Sequence, residues 1–215
     1  MADLAWGAFL EKYGPLVTAP DGPLTWGKNL SVLLTLAARR KPARILELYT
    51  AFGHTAVALA RAAPEARIFT FDVSLDLGAL PAPGTQRTDR VGEMVRASDN
   101  SDVRDRIAVT IGREAELPPK VRESGPYGAL FVDGNHTFPY VVRDTALALE
   151  TAEEDAIIVW DDHADHFPDV PRLIALLNLA TGDRIVQVGG TWTCYAHLDR
   201  ELREKLLLET RKLLP

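Results

Sequence analysis

Cysteine is nearly absent: Cys194 stands alone among 215 residues, so no internal disulfide can form. No apolar run approaches the ~20 residues that a membrane-spanning helix requires. The opening MADLAWGAFLEKYG has no cationic stretch followed by a long apolar one, so a secretory leader is not expected. Together these absences point to a soluble cytoplasmic protein. Positive charge is also short, 24 Lys and Arg against 30 Asp and Glu for a formal net charge of −6, which opposes nonspecific attraction to phosphate backbones or anionic lipid. Neither nucleic acid nor a membrane is expected as a partner. Glycine is scarce where nucleotide-binding turns concentrate it. The stretch ILELYTAFGHT (45–55) holds only Gly53, and the G-x-G-x-x-G spacing of nicotinamide-binding turns is missing.

What is present suits one compact domain over 1–215. The apolar share is 47%, enough for a full core in a chain of this length. Residues 1–27 read as an N-terminal helix and loop, and 199–215 as a C-terminal helix. Between them, short apolar segments bounded by turn signals alternate with helical periodicity. The segments at 43–48, 67–72, 106–111, 128–133 and 155–161 read as strands, and helices are expected near 28–40, 53–63, 89–100, 137–152 and 170–180. Only a weak, proline-interrupted helix fits between the third and fourth strands. The stretch 74–88 is rich in Pro and Gly and reads as a loop. DRIVQVGG and TWTCYAHL (183–198) read as a hairpin joined at Gly189 and Gly190. Strands separated by helices imply a doubly wound α/β domain, its sheet mostly parallel and covered on both faces, with one antiparallel strand from the hairpin.

In such sheets ligands bind beyond the carboxyl ends of the strands, where strand order reverses. Those ends carry Glu47, Asp72, Gly112, Asp133 and Asp161. Four acids and a glycine on one rim are the main functional signal.

The segments LELYTAFGHT, FTFD, FVDGNHTFPYVVRD, IIVWDDH and GGTWTCYAH, in this order, resemble the class I S-adenosylmethionine-dependent methyltransferases, in particular the small-molecule group with DGxH motifs. The resemblance covers about residues 25–197 and implies a Rossmann-like, seven-stranded sheet. It also implies S-adenosylmethionine as cofactor and a small-molecule methyl acceptor. Glu47, Tyr49, Ala51, Phe52, Gly53 and Thr55 fall on the family's cofactor loop. Asp72 falls on its ribose-binding acid, where one carboxylate can satisfy two hydroxyl donors. Gly112, Arg113 and Glu114 fall on the adenine contacts, and Asp133 faces the cofactor. Tyr49 and Ala51 stand where the family places its first two loop glycines.

Metal-dependent O-methyltransferases are similar in a further respect. Asp133, Asp161 and Asp162 fall on their ligand positions, an oxygen-only set suited to Mg²⁺, Mn²⁺ or Ca²⁺. Catalysis is then expected from Asp133 and from His136, three residues on, as general base. Trp26, Phe138, Tyr140, Phe167 and Trp192 could wall an acceptor pocket or simply pack. Two other functions are weighed. A metallophosphatase would use the Gly-Asn-His of DGNH but also needs Asp-x-His and Gly-Asp motifs that the chain lacks. A noncatalytic relative would keep the fold and bind a partner. The leucines of the C-terminal helix (Leu202, Leu206, Leu213) admit packing on their own sheet or a homodimer contact.

Overall fold

The computed structural model describes residues 2–14, 24–73 and 90–214. The loop expected at 74–88 and the side chain of Trp26 lie outside the described residues. The chain runs β1 (Ala2–Leu4), α1 (Trp6–Tyr13), α2 (Leu24–Arg40), β2 (Arg44–Leu48), α3 (His54–Ala62), β3 (Arg67–Val73), α4 (Glu93–Arg96), β4 (Ile107–Gly112), α5 (Leu117–Ser124), β5 (Tyr127–Val132), α6 (Phe138–Glu150), β6 (Ala152–Trp160), α7 (Asp169–Thr181), β7 (Val186–Val188), β8 (Cys194–His197) and α8 (Arg200–Lys212).

These strands form a single sheet ordered β1-β7-β8-β6-β5-β2-β3-β4. The pairs β2·β3, β2·β5, β3·β4 and β5·β6 are parallel, whereas β8 runs antiparallel to both β6 and β7. The hairpin therefore supplies the one reversed strand, as its alternating apolar segments imply. Several elements differ from the sequence reading: the helix expected near 89–100 is only Glu93–Arg96 with a short 3-10 turn at Ser98–Asn100, and β6 begins at Ala152 rather than 155. The sheet has an eighth strand, because Ala2–Leu4 pairs in parallel with Val186–Val188. Three residues carry too little pattern to be read as a strand, and only their neighbour makes them one. Likewise α2 starts at Leu24 rather than 28, and it stops at Arg40, where Lys41 takes φ 50 and precedes Pro42.

Strands β2 and β5 sit mid-sheet and are apolar on both faces because helices cover both. Leu46 and Leu130 are buried against α5 to α8, and Ile45 and Ala129 against α1 to α3. Trp160 closes β6 fully buried, its indole N–H donating to Thr145 Oγ1 at 3.0 Å, the partner that a buried indole needs. Among the described residues no helix is long and apolar enough to cross a membrane.

Helix α8 starts at Asp199, whose carboxylate accepts the Leu202 amide at 2.8 Å, a standard N-cap. Its leucine face turns inward. Leu202 and Leu206 are buried in the core beneath α6 and α7, with Leu207 and Leu213 packed against them, whereas Leu208 is 55% exposed. Leu202, Leu206 and Leu213 thus pack on the chain's own core. Leu206→Ala should cost about 2–5 kcal/mol through lost burial and a residual cavity, while Leu208→Ala should stay within about 0.5 kcal/mol. Urea unfolding of both variants checks this; equal effects would mean that the helix does not rest on Leu206.

Candidate functional site

Parallel pairing sets the height of the rim. Leu48 is in register with both Phe71 and Val132, and Val132 with Trp160. One step further along each strand, Tyr49, Asp72, Asp133 and Asp161 therefore stand in a row. The backbone bonds continue that far, with Tyr49 N–H donating to Phe71 O at 2.8 Å and Asp161 N–H to Val132 O at 3.2 Å.

The turn from β2 to α3 keeps a glycine-type path without the glycines. Tyr49 has φ 78, Ala51 φ 44 and Gly53 φ 89, all in the left-handed region that L side chains seldom enter. What holds it is a set of bonds to β3. Ala51 N–H donates to Asp72 Oδ2 at 2.7 Å, and the hydroxyls of Thr50 and Thr70 lie 2.7 Å apart. At Gly53 the constraint is also steric, since a Cβ would come within 2.9 Å of Val95 Cγ2. Phe52 lies under the Arg90 guanidinium at 4.5 Å, and Thr55 sits half-buried in the first turn of α3.

Two acids anchor this turn from below. Glu47 is 1% exposed and bonded to Thr70, and its Oε2 has no partner. Burial, with a smaller push from Asp72, raises its pKa to about 8, so it is neutral and can donate at neutral pH. Burial also pushes the Asp72 carboxyl up, against the backbone N–H groups of Ala51, Val73 and Thr50, which favour its charge.

Across the strand-order reversal, Asp133, His136 and Asp162 bring one ligand atom each within 4.8 Å of one another. His136 Nε2 is 2.5 Å from Asp162 Oδ2, and its ring stacks on Phe167 with centroids 4.1 Å apart. Asp162 has φ 58, the kind of strain that collects at functional positions. Asp161 is turned aside: its Oδ1 accepts from Asn29 Nδ2 at 2.8 Å, and Asn29 Oδ1 in turn accepts the Trp192 amide at 3.0 Å. Of the expected trio, Asp133 and Asp162 fall in this group with His136, while Asp161 lies beside Asp133 and is bonded to Asn29. Burial raises the Asp133 carboxyl well above its usual range, and the neighbouring carboxyls of Asp161, Asp162 and Glu47 add to it. For Asp161 burial comes first and Asp162 second, to about 7. Of the candidate aromatic wall, Trp192 meets His166 edge-on at 4.6 Å, while Phe138 and Tyr140 lie beneath Arg172 and Arg143.

Beyond β4, Gly112 is buried and Arg113 and Glu114 are exposed. Glu114 is ion-paired with Arg143 of α6. Beside Arg143 lies a residue missed from the sequence, Asp144, 5% exposed with Oδ2 unpartnered and its pKa pushed to about 7 by burial. Its signal was present, because it falls three residues after Val141 and four before Ala148, on the helix face that is buried. Asn29 carried no such signal.

A family model described as Methyltransferase domain matches residues 46–163. The chain is similar to the O-methyltransferase TomG from Streptomyces achromogenes in complex with SAM, at 20% identity over 80% of each chain with a TM-score of 0.57. It is also similar to the O-methyltransferase from Bacillus cereus in complex with SAH, at 18% identity over 84% of each chain with a TM-score of 0.57. At these identities the likeness speaks for the fold.

Glu47 makes stability depend on pH in a stated direction. Between its ordinary value of 4.5 and about 8 the unfolded chain is ionised there and the folded chain protonated, so stability falls as pH rises. One such group contributes a slope of at most about 1.4 kcal/mol per pH unit. Asp144 and Asp161 act in the same sense up to about 7. Glu47→Gln should therefore flatten the profile most clearly between pH 7 and 8. Urea unfolding across that range in a chelating buffer is the measurement, and an unchanged slope would show that Glu47 is ionised in the fold.

Proposed function

As the chain belongs to the methyltransferase domain family, we propose that it transfers the methyl group of S-adenosylmethionine to a hydroxyl oxygen of a small-molecule acceptor. The observation that carries this reading is the rim itself: Asp72, Asp133 and Asp162 at neighbouring parallel strand ends, around the reversal between β2 and β5. S-adenosylmethionine supplies an electrophilic methyl on a sulfonium, so the protein has to hold two reactants in line and accept one proton. The net charge of −6 fits a small acceptor in the cytoplasm better than nucleic acid or a membrane surface.

Asp72 holds the ribose in this reading. One of its oxygens already fixes the Ala51 amide, which ties the cofactor's sugar to the shape of the turn through a single carboxylate. Tyr49, Ala51, Phe52, Gly53 and Thr55 flank the methionine portion, above Glu47. Gly112, Arg113 and Glu114 meet the adenine, with Glu114 steadied by Arg143.

The carboxylates of Asp133 and Asp162 fit a divalent cation, with the His136 imidazole beside them. Burial first, and then the neighbouring carboxyls, push the Asp133 and Asp161 carboxyls up, and a cation beside them would offset both. With an imidazole beside carboxylates, Mn²⁺ suits the site as well as Mg²⁺ and better than Ca²⁺. We assign the cation to Asp133 and Asp162, with Asp161 supporting the loop through Asn29. The acceptor proton goes to His136, whose ring plane is set by Phe167 and whose Nε2 faces Asp162.

Calorimetric titration with S-adenosylmethionine and S-adenosylhomocysteine, with and without Mn²⁺ or Mg²⁺, tests the cofactor reading. Asp72→Ala should weaken binding about tenfold or more, since a hydrogen bond to a charged group is worth roughly 1.5–3 kcal/mol. Full affinity in a folded Asp72→Ala protein would remove Asp72 from the ribose site. Once an acceptor is identified, His136→Ala should slow methyl transfer by roughly 10²-fold with little change in cofactor affinity. Turnover that survives both chelation and Asp162→Ala would dismiss the cation.

A further inference from the structure

Tyr49 stands at the start of the turn where strand order reverses, and its ring crosses that gap. A Cβ built on Gly134, just past β5, would lie 2.0 and 2.2 Å from Tyr49 Cε2 and Cδ2. The ring therefore lies directly on the Gly134 backbone, spanning from the β2 turn to the β5 turn. Gly134 is not among the positive-φ residues, so it is the ring, with Asp144 Oδ2 at 2.9 Å from the same Cβ, and not the backbone path, that excludes a side chain there.

The far end of the ring is held as well. The Tyr49 hydroxyl interacts with Asp144 and Arg143 of α6, Arg143 Nε lies 3.6 Å from Asp144 Oδ1, and Arg143 is ion-paired to Glu114 beyond β4. One side chain thus links three elements around the crevice. The space left beside it, between Tyr49, Phe71, Val73, Glu114 and Arg143, is a cavity of about 30 Å³. Small-molecule and cofactor sites usually measure roughly 300–1,000 Å³. The space beside the ring has room for about one water and is by itself too small for a nucleoside.

Given the cofactor reading above, on which this step rests, we infer that Tyr49 is a gate: its ring must leave Gly134 and release Asp144 and Arg143 before the cofactor can enter. The turn favours such movement. Its backbone already follows the glycine-type path and is bonded to β3 and not to the ring, so rotation of the side chain opens the crevice without refolding the loop. In the closed state Asp144 Oδ2, buried and without a hydrogen-bond partner, lies close to the same spot on Gly134 as the ring. A ligand that binds only the open state has its apparent affinity reduced by the open fraction.

Stopped-flow and calorimetric binding of S-adenosylhomocysteine to the full chain, Tyr49→Gly, Tyr49→Phe and Gly134→Ala tests the gate, with thermal unfolding run on each to confirm the fold. The wild-type observed rate should level off at high ligand, limited by opening. Tyr49→Gly should abolish the plateau and tighten binding by about tenfold or more. Gly134→Ala should act in the same direction with Tyr49 intact, because the added methyl displaces the ring, and Tyr49→Phe should fall between. Identical rates and affinities in wild type, Tyr49→Gly and Gly134→Ala would overturn the gate while leaving the cofactor reading in place. Loss of binding in Tyr49→Gly would also overturn it, by making the ring a ligand contact. If no folded variant binds, the cofactor reading itself fails and the gate with it, leaving Tyr49 as a fixed plug in a noncatalytic relative.

Discussion

The register of three parallel strand pairs decides almost everything at this site. Because Leu48 aligns with Phe71 and Val132, and Val132 with Trp160, the residues just beyond them stand level along one edge. Parallel strands all expose their last carbonyls and first loop residues on the same side, so acids at strand ends meet each other rather than alternating between two edges. A shift of one residue in any pair would turn an acid into a core face and an apolar side chain onto the rim.

Level acids crowd charge, and the fold answers that crowding in two ways. Around the β2 turn the response is local: Asp72 accepts backbone amides, and burial keeps the proton on Glu47 despite its bond to Thr70. Past β5 and β6 it is incomplete. Asp133 has carboxyls on several sides, and the His136 imidazole stands 2.5 Å from Asp162. A cluster left short of positive charge is poorly optimised for stability, which is the usual condition of sites kept for binding or catalysis. Asn29 adds a mechanical element, since it ties α2 to the end of β6 and to the β7–β8 turn. The helix layer beneath the sheet thereby sets the position of the carboxyl rim above it.

The turn after β2 follows a glycine-type path with a single glycine on it. Tyr49 and Ala51 remain in left-handed conformations, at a cost of order 1–3 kcal/mol each. Their persistence follows from the bonds to Phe71 and Asp72, which over-determine the path. With Cβ atoms now present, the first position must also dispose of a ring, and the backbone of Gly134 is where the ring comes to rest.

The order of strands and helices, the reversed hairpin strand and the acids at strand ends were legible in the sequence, because hydrophobic period and turn chemistry are local properties of a chain. Segments such as ARILEL or GALFVD need no partner to be recognised. Ala2–Leu4 needed one, and it became a strand only beside β7. The membership of the acid cluster was likewise undecided by motif: Asp161 and Asp162 are adjacent in sequence, yet one turns to Asn29 and the other to His136. The same holds for Tyr49, whose rank as loop residue, contact or obstruction depends on Gly134, Asp144 and Arg143. Which way a side chain points, and whether a carboxyl keeps its proton, are sums over neighbours brought together by packing from remote segments. Those quantities belong to the tertiary structure alone.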